Sequence, residues 1–183
     1  MSNYIMIGIV SIVLIYLLVI YNKLVHQRNY VKEAFSTMDI YLKKRWDLIP
    51  NLVETVKAYA KYEEETIEKV TKLRVDGYEE LTKENKLSIN EKITKDIWQV
   101  VALSENYPDL KANENFLDLC KQLTQLENDI ANARKYYNGT VRILNNTIQM
   151  FPSNIIATIF GFKSEKMFAV DSDNERNNIN VEL

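Results

Sequence analysis

Residues 114–151 read ENFLDLCKQLTQLENDIANARKYYNGTVRILNNTIQMF, and the fold class follows from them. Apolar side chains fall at Phe116, Leu119, Leu123, Leu126, Ile130, Ala133, Tyr137, Val141, Leu144, Ile148 and Phe151. The steps alternate between three and four residues, the repeat of a helix that buries one stripe against other helices. The one departure lies across Asn138-Gly139, a stutter of the kind that locally unwinds a supercoil. A glycine inside a helix costs only about 1 kcal/mol, and the stripe resumes in phase. One helix capped by Asn113 and ended by Pro152 is therefore preferred, the alternative being that Asn138-Gly139, a turn-favouring dipeptide, ends it.

The flanking segments carry the same period. Ser88-Ile-Asn-Glu91 has the form of a capping box, and Ile89, Ile93, Ile97 and Val101 follow it, predicting a helix over 89–105 that stops before Pro108. Further back, Asp47 suits an N-cap with Pro50 in the first turn, and Val53, Val56, Ala60, Ile67, Val70 and Leu73 predict a helix over 47–76 that stops at Gly77. Ahead of it, Leu24, Arg28, Val31, Phe35, Met38 and Leu42 mark a helix over 22–45, with Lys43, Lys44 and Arg45 at its negative C-terminal end. A short helix over 154–160 and a polar tail over 163–183 complete the chain. Only four glycines and three prolines interrupt 183 residues. The expected fold is all-α: an N-terminal transmembrane helix continuing into an antiparallel bundle of long helices over 22–162.

The transmembrane expectation rests on residues 4–21, YIMIGIVSIVLIYLLVIY, where Ser11 is the only strongly polar side chain. No charged side chain precedes Lys23. As a helix the stretch is about 27 Å long, close to the ~30 Å hydrocarbon core of a bilayer. Tyr4 and Tyr21 close its ends, where amphipathic rings favour the headgroup level. A cleaved signal peptide would open with positive charge and finish in small residues, and this stretch does neither. Residues 1–21 are thus read as a short outer tail and an uncleaved anchor. Lys23, Arg28, Lys32 and Lys43–Arg45 all follow the anchor, which predicts a single-pass protein of the cell membrane with its N-terminus outside and the bundle cytoplasmic.

Composition removes several kinds of chemistry. With 23 basic against 25 acidic residues there is no basic footprint, so no nucleic acid is expected as a partner. One Cys and one His cannot build a four-ligand zinc site or a paired Glu-x-x-His di-iron site, so neither metal nor cofactor is expected. Glycine-rich phosphate loops and nucleophile motifs are missing. Asp39, Asp47, Glu127 and the run Glu63-Glu64-Glu65 invite an acid–base reading, but carboxylates on bundle helices are more often solvated or ion-paired, and no catalytic residue is expected.

Two features suggest binding. Asn22 and Asn29, with Arg28 beside them, echo Asn138 and Asn145: each pair is seven residues apart and so shares one helix face. These amides form a candidate polar seam or partner face, and pairing within the bundle is the preferred reading. The apolar segment containing Phe151, Ile155, Ile156, Ile159, Phe160 and Phe162 is too short to span a bilayer. It is expected to fold back onto the bundle, the alternative being the inner leaflet.

Two long blocks, YNKLVHQRNYVKEAFSTMDIYLKKRWDLIPNLVETVKAYAKYE (21–63) and ENYPDLKANENFLDLCKQLTQLENDIANARKYYNGTVRILNNTIQMFPSNIIATIFGF (105–162), resemble the LemA family over nearly the whole chain. Lys61-Tyr62-Glu63 stands where a His-Glu often occurs in that pattern, and Leu144-Asn145 where a second Tyr-Asn does. The resemblance implies a single-pass membrane protein with a helical bundle and supplies no catalytic residues. By association it also implies a scaffold or adaptor that positions membrane or cytoplasmic proteins, membrane proteases among them. A homo-oligomer that organises or shapes the membrane and an enzyme using the seam carboxylates are the alternatives.

Overall fold

The computed structural model describes residues 1–59 and 78–168. Every regular element among them is helical: α1 (Ser2–Tyr59), α2 (Lys83–Leu103), α3 (Pro108–Lys111), α4 (Glu114–Gln149) and α5 (Ser153–Ile159), with short 3-10 turns at Tyr78–Glu80 and Ser104–Asn106. The contacts divide the chain into two compact units, residues 28–137 and residues 1–27 with the chain from 138 onward.

In the 28–137 unit, α1 does not stop at Arg45. It runs unbroken through Asp47 and Pro50 to Tyr59. The expected boundary between helices 22–45 and 47–76 is therefore absent, and so is the return of the chain at that point. The remainder of the expected 47–76 helix, with Ala60, Ile67, Val70, Leu73 and the Gly77 stop, lies outside the described residues. A proline inside a helix costs about 3 kcal/mol. Against that, continuing the helix buries Ile49, Leu52 and Val56 in a core with Ile93, Ile97, Val100, Leu110, Phe116 and Leu123. Full burial of each such side chain is worth about 1.5–3 kcal/mol, so the packing outweighs the break. Asp47 caps nothing and pairs instead with Lys43, 2.7 Å away and one turn back.

Cross-helix pairs give the directions within this unit. Asn113 donates to the Tyr59 hydroxyl, Glu127 meets Arg45, and Tyr137 packs on Phe35, so α4 runs antiparallel to α1. Lys83 lies over the Phe35 ring, Lys86 meets Asp39, and Asn90 and Thr94 meet Arg45, so α2 runs parallel to α1. α2 also starts earlier than the capping box suggests. Thr82 is the N-cap, accepting from the Asn85 N–H at 3.3 Å, and Ser88 lies inside the helix. Pro108 does end this segment, and Asn113 does cap α4, accepting from the Phe116 N–H at 3.0 Å.

In the other unit, residues 4–19 of α1 form an apolar, exposed surface. Past it, Ile20 and Leu24 are buried, as are Val141 and Leu144 of α4, and α4 passes through Asn138-Gly139 without interruption. The α4 stripe ends before Phe151, which is exposed because the helix stops at Gln149. α5 follows and closes with a Schellman motif: the Phe162 N–H bonds the Ala157 carbonyl at 2.8 Å and the Gly161 N–H bonds the Thr158 carbonyl at 3.3 Å. Gly161 has φ +68°, a left-handed conformation in which a side chain is strained. No neighbouring atom crowds the space its Cβ would occupy. Gly161→Ala is therefore expected to cost about 1 kcal/mol through backbone strain alone, read as a lower urea midpoint of the intact protein. An unchanged midpoint would deny that the left-handed cap is needed.

Candidate interaction site

Asn138 and Asn145 lie two turns apart on α4, about 10.5 Å along the axis. Each amide holds the backbone of the segment that follows α5. Asn145 donates from Nδ2 to the Glu165 carbonyl at 2.8 Å, and its Oδ1 accepts the Glu165 N–H at 2.9 Å. Asn138 does the same for Phe168, at 3.1 and 2.7 Å. The lower helix number pairs with the higher segment number, so residues 162–168 run antiparallel to α4. Both clamped residues present N–H and C=O to one helix, although they are three positions apart. In a flat strand, residues three apart face opposite ways. A chain with three residues per turn brings them back to the same side, at about 3.1 Å per residue. Burial keeps the same period: Phe162 and Phe168 are buried and Glu165 half-buried, whereas Lys163, Ser164, Lys166 and Met167 are exposed.

The polar tail expected from residue 163 therefore does not begin there. Residues 163–168 are pinned to α4, and 169–183 lie outside the described residues. The partners of Asn138 and Asn145 are backbone groups of the following segment, while the side chains of Asn22 and Asn29 are exposed. Arg28 is exposed as well. Asn145→Ala removes both bonds to the half-buried Glu165 backbone, a loss of about 1–2 kcal/mol. Exchange of the Glu165 amide hydrogen should rise by roughly tenfold; an unchanged rate would mean that other contacts hold the segment.

The apolar segment divides by face. Ile156, Ala157 and Phe162 are buried with Ser153, as expected of a segment folding back, but Phe151, Ile155, Ile159 and Phe160 are exposed. The Tyr21 ring lies against Phe160, 4.8 Å between centroids, and against Phe162 at 5.9 Å.

Arg45 is the charged residue that sequence reasoning misplaced. It lies in the seam, 1% exposed, rather than at a helix end. Its Nη1 donates to Glu127 Oε2 at 2.5 Å and to Thr94 Oγ1 at 2.7 Å, and its Nη2 to the Asn90 carbonyl at 2.9 Å. Burial lowers its pKa and the Glu127 charge opposes that shift. A signal for this position existed: Leu42, Arg45, Ile49, Leu52 and Val56 keep the three-four alternation with Arg45 in an apolar slot. The other two carboxylates weighed for acid–base chemistry are also paired. Asp39 accepts from Lys86 at 2.7 Å and from the Tyr78 hydroxyl at 2.8 Å, and burial followed by that hydrogen bond pushes the Tyr78 pKa up. Asp47 is held by Lys43, whose pKa that hydrogen bond raises. Glu63–Glu65 lie outside the described residues.

Comparison with known proteins adds a family. The model of the LemA family matches residues 34–183. Protein LemA of Metamycoplasma hominis is 24% identical over 137 residues, covering 74% of this chain and 63% of that protein. Magnetosome proteins MamQ 1 and MamQ 2 of Paramagnetospirillum magneticum are each 23% identical over 181 aligned positions, covering 83% of this chain and 65% of theirs. The chain thus spans just under two thirds of the length of these relatives.

Proposed function

This chain belongs to the LemA family and is membrane-associated, and from that premise we propose that it is a single-pass anchored scaffold that positions protein partners at the cytoplasmic face of the membrane. One observation carries the proposal. The exposed apolar stretch at residues 4–19 is long and apolar enough to cross a membrane, and it belongs to a helix assigned without a break from Ser2 to Tyr59. Sixteen consecutive residues of such surface are out of place in water and at home in hydrocarbon. The orientation follows from Lys23, Arg28 and Lys32, all on the C-terminal side of that stretch.

A non-catalytic role is supported by the seam carboxylates, since Asp39, Asp47 and Glu127 are each engaged by their own cation. A general base requires a free lone pair within reach of a substrate proton. The test is recovery of the intact protein in mild detergent after cross-linking in native membranes. Specific co-purifying proteins are expected, and recovery of the bait alone under every condition would end the scaffold reading. A second reading, a homo-oligomer that organises membrane, draws on the exposed Asn22 and Asn29 ladder of α1. The same cross-linking separates the two, because cross-linked copies of the chain without other proteins would favour it.

A further inference from the structure

We propose that the exposed face of α5 and the turn before it form a second membrane contact, lying in the headgroup–acyl boundary beside the anchor. The inference rests on the anchor reading above and adds to it a lipid-binding surface that is separate in sequence. Twenty successive residues, Ile143 to Phe162, carry no charge. The fold uses part of that apolar surface and leaves the rest uncovered. Ser153, Ile156 and Ala157 turn inward, while Met150, Phe151, Ile155, Ile159 and Phe160 remain exposed, Ile159 to 69% and Phe160 to 57%. Five large apolar side chains together make a patch on the order of a few hundred Å², a size at which exposed surface marks an interaction site.

Two observations choose lipid as the occupant. The first is depth. Tyr21 ends the apolar stretch of α1, where a tyrosine sits at headgroup level. Its ring lies against Phe160, so the end of α5 is at that level also. On α1, the turn before Tyr21 is exposed and apolar too, at Leu17, Leu18 and Val19. The second is charge. No acidic side chain occurs before Glu33, and none between Asp129 and Glu165. In this unit the described residues therefore carry the cations Lys23, Arg142, Lys163 and Lys166 against Glu165 alone, and Arg142 and Lys163 bracket the uncharged run in sequence. Cations flanking an apolar face match an anionic leaflet, whose attraction adds to burial of the apolar side chains.

The test uses the full chain reconstituted in vesicles of phosphatidylethanolamine and phosphatidylglycerol. In a Cys120→Ser background a nitroxide is attached through Ile155→Cys or Ile159→Cys, both exposed positions that tolerate a label. Ile12→Cys reports the anchor and Tyr136→Cys, exposed in the other unit, reports water. The reading is collision with dissolved oxygen against collision with a water-soluble nickel chelate. Labels at 155 and 159 should show an oxygen-to-nickel ratio several-fold above that at 136, at a shallower depth than the label at 12. Labels at 155 and 159 matching the one at 136, with 12 still in lipid, would overturn the second contact and leave the anchor standing. Shielding of 155 and 159 from both reagents would overturn it in favour of a protein cover such as a second copy. A water-exposed label at 12 would overturn the anchor reading itself, and this proposal with it.

Discussion

Replacing Glu127 with Ala is expected to destabilise the 28–137 unit by about 3 kcal/mol, whereas replacing Arg45 with Met should cost far less. The asymmetry comes from where each charge can go. Arg45 is 1% exposed and cannot give up its proton, so without Glu127 a buried cation keeps only the Thr94 hydroxyl and the Asn90 carbonyl. Breaking a buried pair in this way typically costs about 3–5 kcal/mol. The low end applies because the Glu127 side chain is 32% exposed and part of the pair is already screened by water. Arg45→Met removes the buried charge, keeps an unbranched apolar side chain in the stripe, and leaves Glu127 free to hydrate. Urea unfolding of both variants, in the detergent used for the parent protein, reads the difference directly. Equal losses would mean that the energy lies in the pair itself and not in the stranded cation.

Pro50→Ala should move stability the other way, by about 2–3 kcal/mol. A proline within a helix forfeits one hydrogen bond and crowds the preceding turn, at a cost of about 3 kcal/mol relative to alanine. Part of the gain is offset because alanine leaves the unfolded chain freer. The sign of the effect separates two architectures. Were Pro50 in the first turn of a new helix, its missing N–H would have no partner to lose, and alanine would be neutral or slightly destabilising. With α1 running from Ser2 to Tyr59, alanine restores a bond and the urea midpoint rises. A fall would contradict the continuous helix.

The asparagine pairs show how far a residue pattern reaches. Seven-residue spacing places Asn138 and Asn145 on one face of α4 in any helix, and the structure uses them as a unit. What they bind could not be read locally. The segment from Phe162 to Phe168 has no helical or strand period and a polar composition, and its order depends on backbone bonds supplied by another part of the chain. One trace was present in the sequence: Phe162 and Phe168 stand six apart, two turns of a three-residue repeat, with Gly161 marking where α5 must stop. The identical spacing of Asn22 and Asn29 leads to no such clamp among the described residues, where both side chains are exposed.

The amino-acid order alone determined the period of every helix and the length of the apolar stretch behind Met1, because both follow from 3.6 residues per turn and from which side chains water rejects. It also determined the cap at Asn113 and the stop before Pro108, where a local backbone group is satisfied or forbidden. Tertiary structure decided whether α1 ends at Arg45 or passes through Pro50, since Asp47 and Pro50 suit either outcome and the balance lies in burying Ile49, Leu52 and Val56 against α2 and α4. It decided as well that Arg45 sits among apolar neighbours and that residues 162–168 are held. In each case the partner, Glu127 or an asparagine of α4, is brought near only by folding.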